Sequence, residues 1–233
     1  MKKSVTYKYS NGVSTINIDD GKANVMSVEM LTALNSAFDD AEKDNGVVLL
    51  IGRAGIFSAG FDLSVFAKND GELIEMLTLG ARTIERMMSF PTPIVAACTG
   101  HALAMGVFLL LAADYRVAIR DNIKISANEV AIGMTVPHFA SEICRFKLSP
   151  AIFNRAMTTA EYFSLEDALT GGFIDSLEDS ENLRSAATKK AEAFVQLDLD
   201  AHLATKMRIR EENITRMKKA VEADIADWKN RIS

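Results

Sequence analysis

Few side chains here have the types and spacing to do chemistry alone. His101 and His138 lack metal-ligand spacing with another His or Cys. Cys98 and Cys144 lie inside apolar segments and read as reduced core residues rather than a disulfide or a metal site. No Gly-x-Ser-x-Gly nucleophile elbow occurs. The sharper signal is a backbone one, in Pro91-Thr-Pro-Ile-Val-Ala-Ala-Cys-Thr-Gly-His-Ala-Leu-Ala-Met-Gly-Val-Phe-Leu-Leu-Leu-Ala-Ala-Asp114. Pro91 and Pro93 keep the chain extended, and Ile94 to Cys98 reads as a short buried strand. Thr99 and Gly100 break it. From Ala102 to Ala113 every residue is apolar or glycine, which predicts a helix buried on all sides. The run is too short to span a bilayer. Strand, tight turn and buried helix leave the first N–H groups of that helix inside the protein, where they attract an anion or an oxygen gaining negative charge.

The elements that must position this turn follow from periodicity. Val5 to Ile18 alternates and is broken by Asn11-Gly12, a hairpin signal. Ser27 caps a helix from Val28 to about Ala41, and Val47 to Gly52 reads as a buried strand. Next comes Arg53 to Leu63, read as a loop whose small residues Gly55, Ala59 and Gly60 admit a ligand close to the main chain. The spacing predicts a helix over Leu73 to Phe90, strands at Tyr115 to Ile119 and Ile123 to Ile125, and an irregular connection from Ser126 to Pro137. Further helices start at Ser149-Pro150 and Ser164, the latter stopped by Gly171-Gly172 before a short strand. Beyond Asp179 the chain is read as charged amphipathic helices only, Leu183 to Val195 and His202 to about Arg231, of a kind that docks on a neighbour. The order suggests an α/β fold of repeated strand–strand–helix units.

Composition sets the outer bounds. The chain has 233 residues, 48% hydrophobic and 24% charged, and a net charge of −5. That is ordinary globular composition with no reason to expect nucleic acid or a membrane as partner. Met1-Lys-Lys leads into alternation rather than an apolar run, so no signal peptide is read and a cytoplasmic location is expected.

Phe57-Ser-Ala-Gly-Phe-Asp-Leu63, then Gly100-His-Ala-Leu-Ala-Met-Gly106, then Ala113-Asp-Tyr-Arg116 resemble the crotonase (enoyl-CoA hydratase/isomerase) superfamily in order and spacing. Gly21-Lys-Ala-Asn24 and Glu166-Asp-Ala-Leu-Thr-Gly-Gly-Phe173 extend the resemblance over almost the whole chain. It implies a crotonase-like spiral of ββα units over residues 1–178 holding an acyl-CoA site. It also implies that residues 179–233 form a helical region making trimers or hexamers. The substrate would be an acyl-CoA of fatty acid or lipid metabolism. Coenzyme A would enter only as part of the thioester, with no prosthetic group and no metal. By the same resemblance the N–H groups of Phe61 and Met105 hold the thioester oxygen, although many members carry glycine where Met105 stands. Lys22, Ala23, Ser58, Ala59, Gly60, Asp62 and Leu63 would contact coenzyme A. His101, Phe108, Pro137 and His138 would line the substrate pocket, with Pro137-His138 replacing a frequent glycine.

Hydratases of this family use two glutamates; here the first position is Phe108 and the second is Glu129, in Ala127-Asn-Glu-Val-Ala-Ile-Gly133. Adding water needs two carboxylates to hold and activate it. Moving a double bond needs one base, and the resemblance is closest to 3,2-enoyl-CoA isomerases. Val130, Ala131 and Ile132 give Glu129 an apolar setting that would raise its pKa. Taken alone, a single glutamate in a loop reads as solvated, and only the resemblance reverses that. Asp62 reads as ordering its loop, and Glu142 as facing solvent. Lys22, Arg53 and Lys68 are candidates for the coenzyme A phosphates, although lone surface cations are usually just solvated. A hydratase or thioester hydrolase, and a non-catalytic acyl-CoA-binding protein, stay open as alternatives.

Overall fold

Asn11 and Gly12 both take positive φ, 53° and 78°, the backbone of a tight hairpin turn. They join β1 (Val5–Ser10) antiparallel to β2 (Val13–Ile18). The computed structural model describes residues 3–66 and 71–232. After β3 (Val25–Met26), α1 (Val28–Lys43) starts where Ser27 accepts the Met30 N–H in its hydroxyl at 3.2 Å. β4 (Val47–Ile51) is buried throughout.

The segment read as a loop from Arg53 to Leu63 is more ordered than its small residues suggest. It forms β5 (Gly55–Ser58) and β6 (Gly60–Phe61), then the short helix α2 (Leu63–Phe66). α3 (Gly71–Met88) leads to β7 (Ile94–Cys98). The helix expected from Ala102 begins later. Gly100–Leu103 is β8, and α4 covers only Met105–Ala112. An apolar run cannot by itself say where strand ends and helix begins. Here Ala102 pairs with a neighbouring strand on each side and Leu103 with the strand on one. β9 (Tyr115–Ile119) and β10 (Ile125–Ser126) follow, then a single 3-10 turn at Val130–Ile132. α5 (His138–Lys147), which starts at Pro137 without a local side-chain cap to announce it, precedes α6 (Pro150–Thr159) and α7 (Leu165–Gly171). β11 (Ser176–Glu178), α8 (Leu183–Val195) and α9 (Leu199–Ile232) complete the chain.

Each turn of the spiral contributes one strand to a main sheet ordered β1-β2-β4-β7-β9-β11. A second strand of the turn goes to a smaller sheet, β10-β8-β5, or to the pair β3-β6. From β2 onward the main sheet is parallel, and its central strands β4 and β7 are buried on both faces and read as continuous apolar runs. The α/β spiral implied by the resemblance is therefore present. α8 buries Leu183, Ala187 and Ala191 and packs over β4, β7 and β9. α9 packs along α3 and α5. Its buried stripe runs Lys206, Arg210, Ile214, Met217, Val221, Asp224 and Trp228, a helical period carrying three charged residues.

Those charges are satisfied across the fold. Asp114, at the end of α4, accepts from Lys206 Nζ at 2.9 Å, Arg210 Nη2 at 2.7 Å and the Ile94 N–H at 2.8 Å. Burial alone would push the Asp114 carboxyl up, but the two cations outweigh it and hold it below the ordinary range. Arg116 forks onto Asp175, with two bonds of 2.7 Å. Met76, Met87, Met88 and Met105 are core residues. Cys98 and Cys144 are free and buried. Burial pushes the Cys98 thiol up to about 12.

Candidate active site

Two backbone segments distant in sequence meet at the start of α4. β3 pairs in parallel with β6, Val25 opposite Gly60 and Met26 opposite Phe61. The Ala59 N–H donates to the Ala23 carbonyl at 3.0 Å. The buried Ser58 hydroxyl donates to the Asn24 carbonyl at 2.8 Å and accepts the Gly60 N–H at 3.1 Å. Asn24 Nδ2 in turn donates to the carbonyls of Ile18 (3.0 Å) and Phe57 (3.2 Å). Lys22, Ala23, Ser58, Ala59 and Gly60 are thereby one continuous patch. Asn24 is its central tie, a role that no local signal in Gly21-Lys-Ala-Asn24 marks.

Gly60 has φ +97°, and a Cβ there would stand 2.7 Å from Ala104 Cβ and 3.4 Å from Met105 N. The strand end carrying Phe61 is thus pressed against the first residue of α4, at a distance only glycine permits. Met105 is the first residue of that helix, so its N–H has no intrahelical acceptor. Ala104 before it holds φ 48° and ψ −124°, a sparsely populated conformation of the kind retained at functional sites. The Phe61 ring and the Met105 methyl both lie against Gly80 of α3, where a Cβ would come within 2.5 Å and 3.4 Å of them.

Glu129 heads the 3-10 turn after β10 and is 5% exposed, so it is not the solvated loop residue that a lone glutamate suggests. Its Oε2 is buried without a hydrogen-bond partner. Burial pushes the carboxyl up from its ordinary 4.5 to about 7, against the opposing pull of its own backbone N–H. The thiol of Cys144 on α5 is raised by burial and then by the charge of Glu129, which places the two side chains near each other. The backbone of Glu129 is fixed, since its carbonyl accepts the N–H groups of Ile132 (3.1 Å) and Met134 (2.9 Å). Val130 and Ile132 face outward, so the apolar setting comes from tertiary packing and not from those sequence neighbours.

Phe108 is fully buried on α4, edge-to-face with Phe139 at 5.7 Å between centroids. Phe139 stands in turn 6.5 Å from Trp228. A cavity of about 350 Å³ lies between α3, the segment after Glu129 and the end of α9. Pro137 and His138 line it, whereas His101 and Phe108 are outside its lining. His101 instead accepts the Lys124 N–H at Nδ1, 2.9 Å away, tying β8 to the chain before β10. Asp62 accepts the Ser64 N–H at 2.9 Å and so orders its loop, while Leu63 is exposed. Glu142 is partly exposed and pairs with Arg145 at 3.5 Å. Lys22 is exposed, and Arg53 is engaged with Asp19 at 3.4 Å and with the Lys22 carbonyl. Lys68 lies outside the described residues. Among the described residues no group of three or more His, Cys, Asp or Glu could hold a metal ion, and no helix is long and apolar enough to cross a membrane.

A family model described as enoyl-CoA hydratase/isomerase matches residues 8–231. The chain is 30% identical over 179 residues to the peroxisomal enoyl-CoA delta isomerase 1 of Arabidopsis thaliana, covering 76% of this chain and 75% of that one. It is 32% identical over 195 residues to a probable enoyl-CoA hydratase of Bacillus subtilis, covering 79% and 74%. The solved structure of an enoyl-CoA hydratase from Mycobacterium ulcerans superposes with a TM-score of 0.93 at 40% identity, covering 97% and 99%.

Proposed function

This chain belongs to the enoyl-CoA hydratase/isomerase family, and on that premise we propose that it moves the double bond of a 3-enoyl-CoA to the 2-position with Glu129 as the single base. The Glu129 carboxylate takes a proton from C2. The electron pair of that C–H bond spreads over the dienolate, leaving negative charge on the thioester oxygen. The N–H groups of Phe61 and Met105 receive that charge. Preorganised donors of this kind are each worth about 3–4 kcal/mol in a site shielded from water. The same carboxyl then returns its proton to C4, and the double bond lies between C2 and C3. No atom or electron is gained or lost, so the reaction as written calls for no oxidant or reductant.

The observation that carries this reading is a buried glutamate with an unpartnered oxygen and a pKa raised to about 7, near the optimum for a base working at neutral pH. Phe108 supports isomerisation over hydration, because a phenyl ring offers water no second anchor. Glu142, the nearest carboxylate in sequence on α5, is committed to Arg145. Coenzyme A is assigned to the patch of Lys22, Ala23, Ser58, Ala59, Gly60, Asp62 and Leu63. Trimeric or hexameric assembly through residues 179–233 and a cytoplasmic location complete the proposal. Exposed Met207 and Ile209 on α9 support the assembly.

The test offers the protein a 3-enoyl-CoA and, separately, crotonyl-CoA. Appearance of the conjugated 2-enoyl thioester absorbance from the first, with no loss from the second, is the expected result, and Glu129→Gln abolishes it. Loss of crotonyl-CoA absorbance would instead make the protein a hydratase. Unchanged turnover by the Gln variant would reject the base.

A further inference from the structure

We infer that the C-terminal end of α9 gauges the acyl chain, with Trp228 as the stop, and that the enzyme is built for medium-length chains. This rests on the acyl-CoA reading above, but not on which residue is the base. One face of α3 connects the two places. Gly80 touches Phe61 and Met105. Leu77 and Leu73, one and two turns earlier on the same face, line the cavity. At the rise of a helix those residues lie about 5 Å and about 10 Å along the axis from Gly80. An acyl chain held by its carbonyl between Phe61 and Met105 is directed down this face. It passes Met134 and Val136, which follow Glu129, and meets Trp228 on the far wall.

The polar groups of that wall are spoken for. Asp224 accepts the N–H groups of His138 at 2.9 Å and Phe139 at 2.8 Å, one on each oxygen, so a residue of α9 caps the start of α5. His138 and Asp227 face one another at 3.8 Å and are largely exposed, which marks the solvent edge. Trp228 is held from behind by Phe139 and, through it, Phe108. Its ring therefore cannot swing into the core to lengthen the cavity. With a water-sized group occupying about 30 Å³, the cavity has room for a chain of about twelve carbons. A longer one would have to emerge at the His138–Asp227 edge.

The chain's single tryptophan makes this directly readable. Saturated acyl-CoAs from butanoyl to hexadecanoyl, which do not react, are titrated into the wild-type protein by calorimetry and by tryptophan fluorescence. Affinity is expected to rise about fourfold per methylene up to about twelve carbons, where the cavity is full, and then level off. Trp228 emission shifts with dodecanoyl-CoA and not with butanoyl-CoA. Leu73→Phe brings the plateau to shorter chains and Trp228→Ala to longer ones. Binding that ignores chain length, or equal emission with both ligands, overturns the gauge and leaves the proposed reaction standing. Failure to bind any acyl-CoA overturns both.

Discussion

Replacing Glu129 by Gln tests the base and its environment together, because stability and activity should move in opposite directions. Burial raises the Glu129 carboxyl from 4.5 to about 7. In the unfolded chain it titrates near its ordinary value. Below pH 4.5 both states hold the proton, so the residue adds no electrostatic cost. Between 4.5 and 7 the folded state binds more proton than the unfolded one, and stability falls as pH rises. Above 7 the deficit is complete. At roughly 1.4 kcal/mol per pH unit it reaches about 3 kcal/mol, a large fraction of the 5–15 kcal/mol stability of a typical domain. With Glu129 only 5% exposed, solvent screening does little to reduce it. Gln keeps the shape without the charge. Urea unfolding should therefore find the variant matching wild type at pH 4 and about 3 kcal/mol more stable at pH 8. Its turnover of 3-enoyl-CoA should be lost. Wild-type kcat/KM should fall about tenfold per pH unit below 7. Parallel stability curves, or a variant that gains stability and keeps its turnover, would refute the reasoning.

Gly60→Ala forces a side chain against Ala104 at positive φ and should separate the Phe61 and Met105 donors. Turnover should drop about 100- to 1,000-fold, with an unchanged near-UV circular dichroism spectrum showing that the fold survives. Asp114→Asn leaves Lys206 and Arg210 buried without their counter-charge and should cost about 3–5 kcal/mol, read from the denaturation midpoint at constant m-value. Lys147 is pushed down from 10.5 to about 7 by burial and then by Arg116 and Arg210. The unfolded chain therefore binds the extra proton between those values, and wild-type stability should rise with pH from 7 to 10. Lys147→Met should flatten that rise in thermal unfolding.

Local structure was largely legible because its signals are local. Asn11-Gly12, the Ser27 and Ser164 caps and the helix from Leu183 to Val195 stand where turn chemistry and period put them. The strand–helix boundary after Gly100 was not, because Ala102 and Leu103 are as apolar as the helix that follows. Their strand state comes from pairing with β5 and β10. α9 misled in another way. Lys206, Arg210 and Asp224 stand on its buried face, where a pattern reading expects apolar residues. Asp114 and the start of α5, their partners, are some ninety residues away.

The candidate site divides along the same line. The residues by themselves pointed to a small-residue segment after a buried strand and to a buried helix start, and the family resemblance added Phe108 and Glu129 as the positions where one carboxylate or two would mean different chemistry. Only the folded chain decided that Glu129 is dry, since Val130 and Ile132 beside it face outward and the water is excluded by side chains from other elements. It alone brought Gly60 against Ala104 and set Trp228 across from α3. Periodicity reports what a residue's neighbours along the chain allow. Desolvation and close approach depend on groups that the chain brings together only after folding.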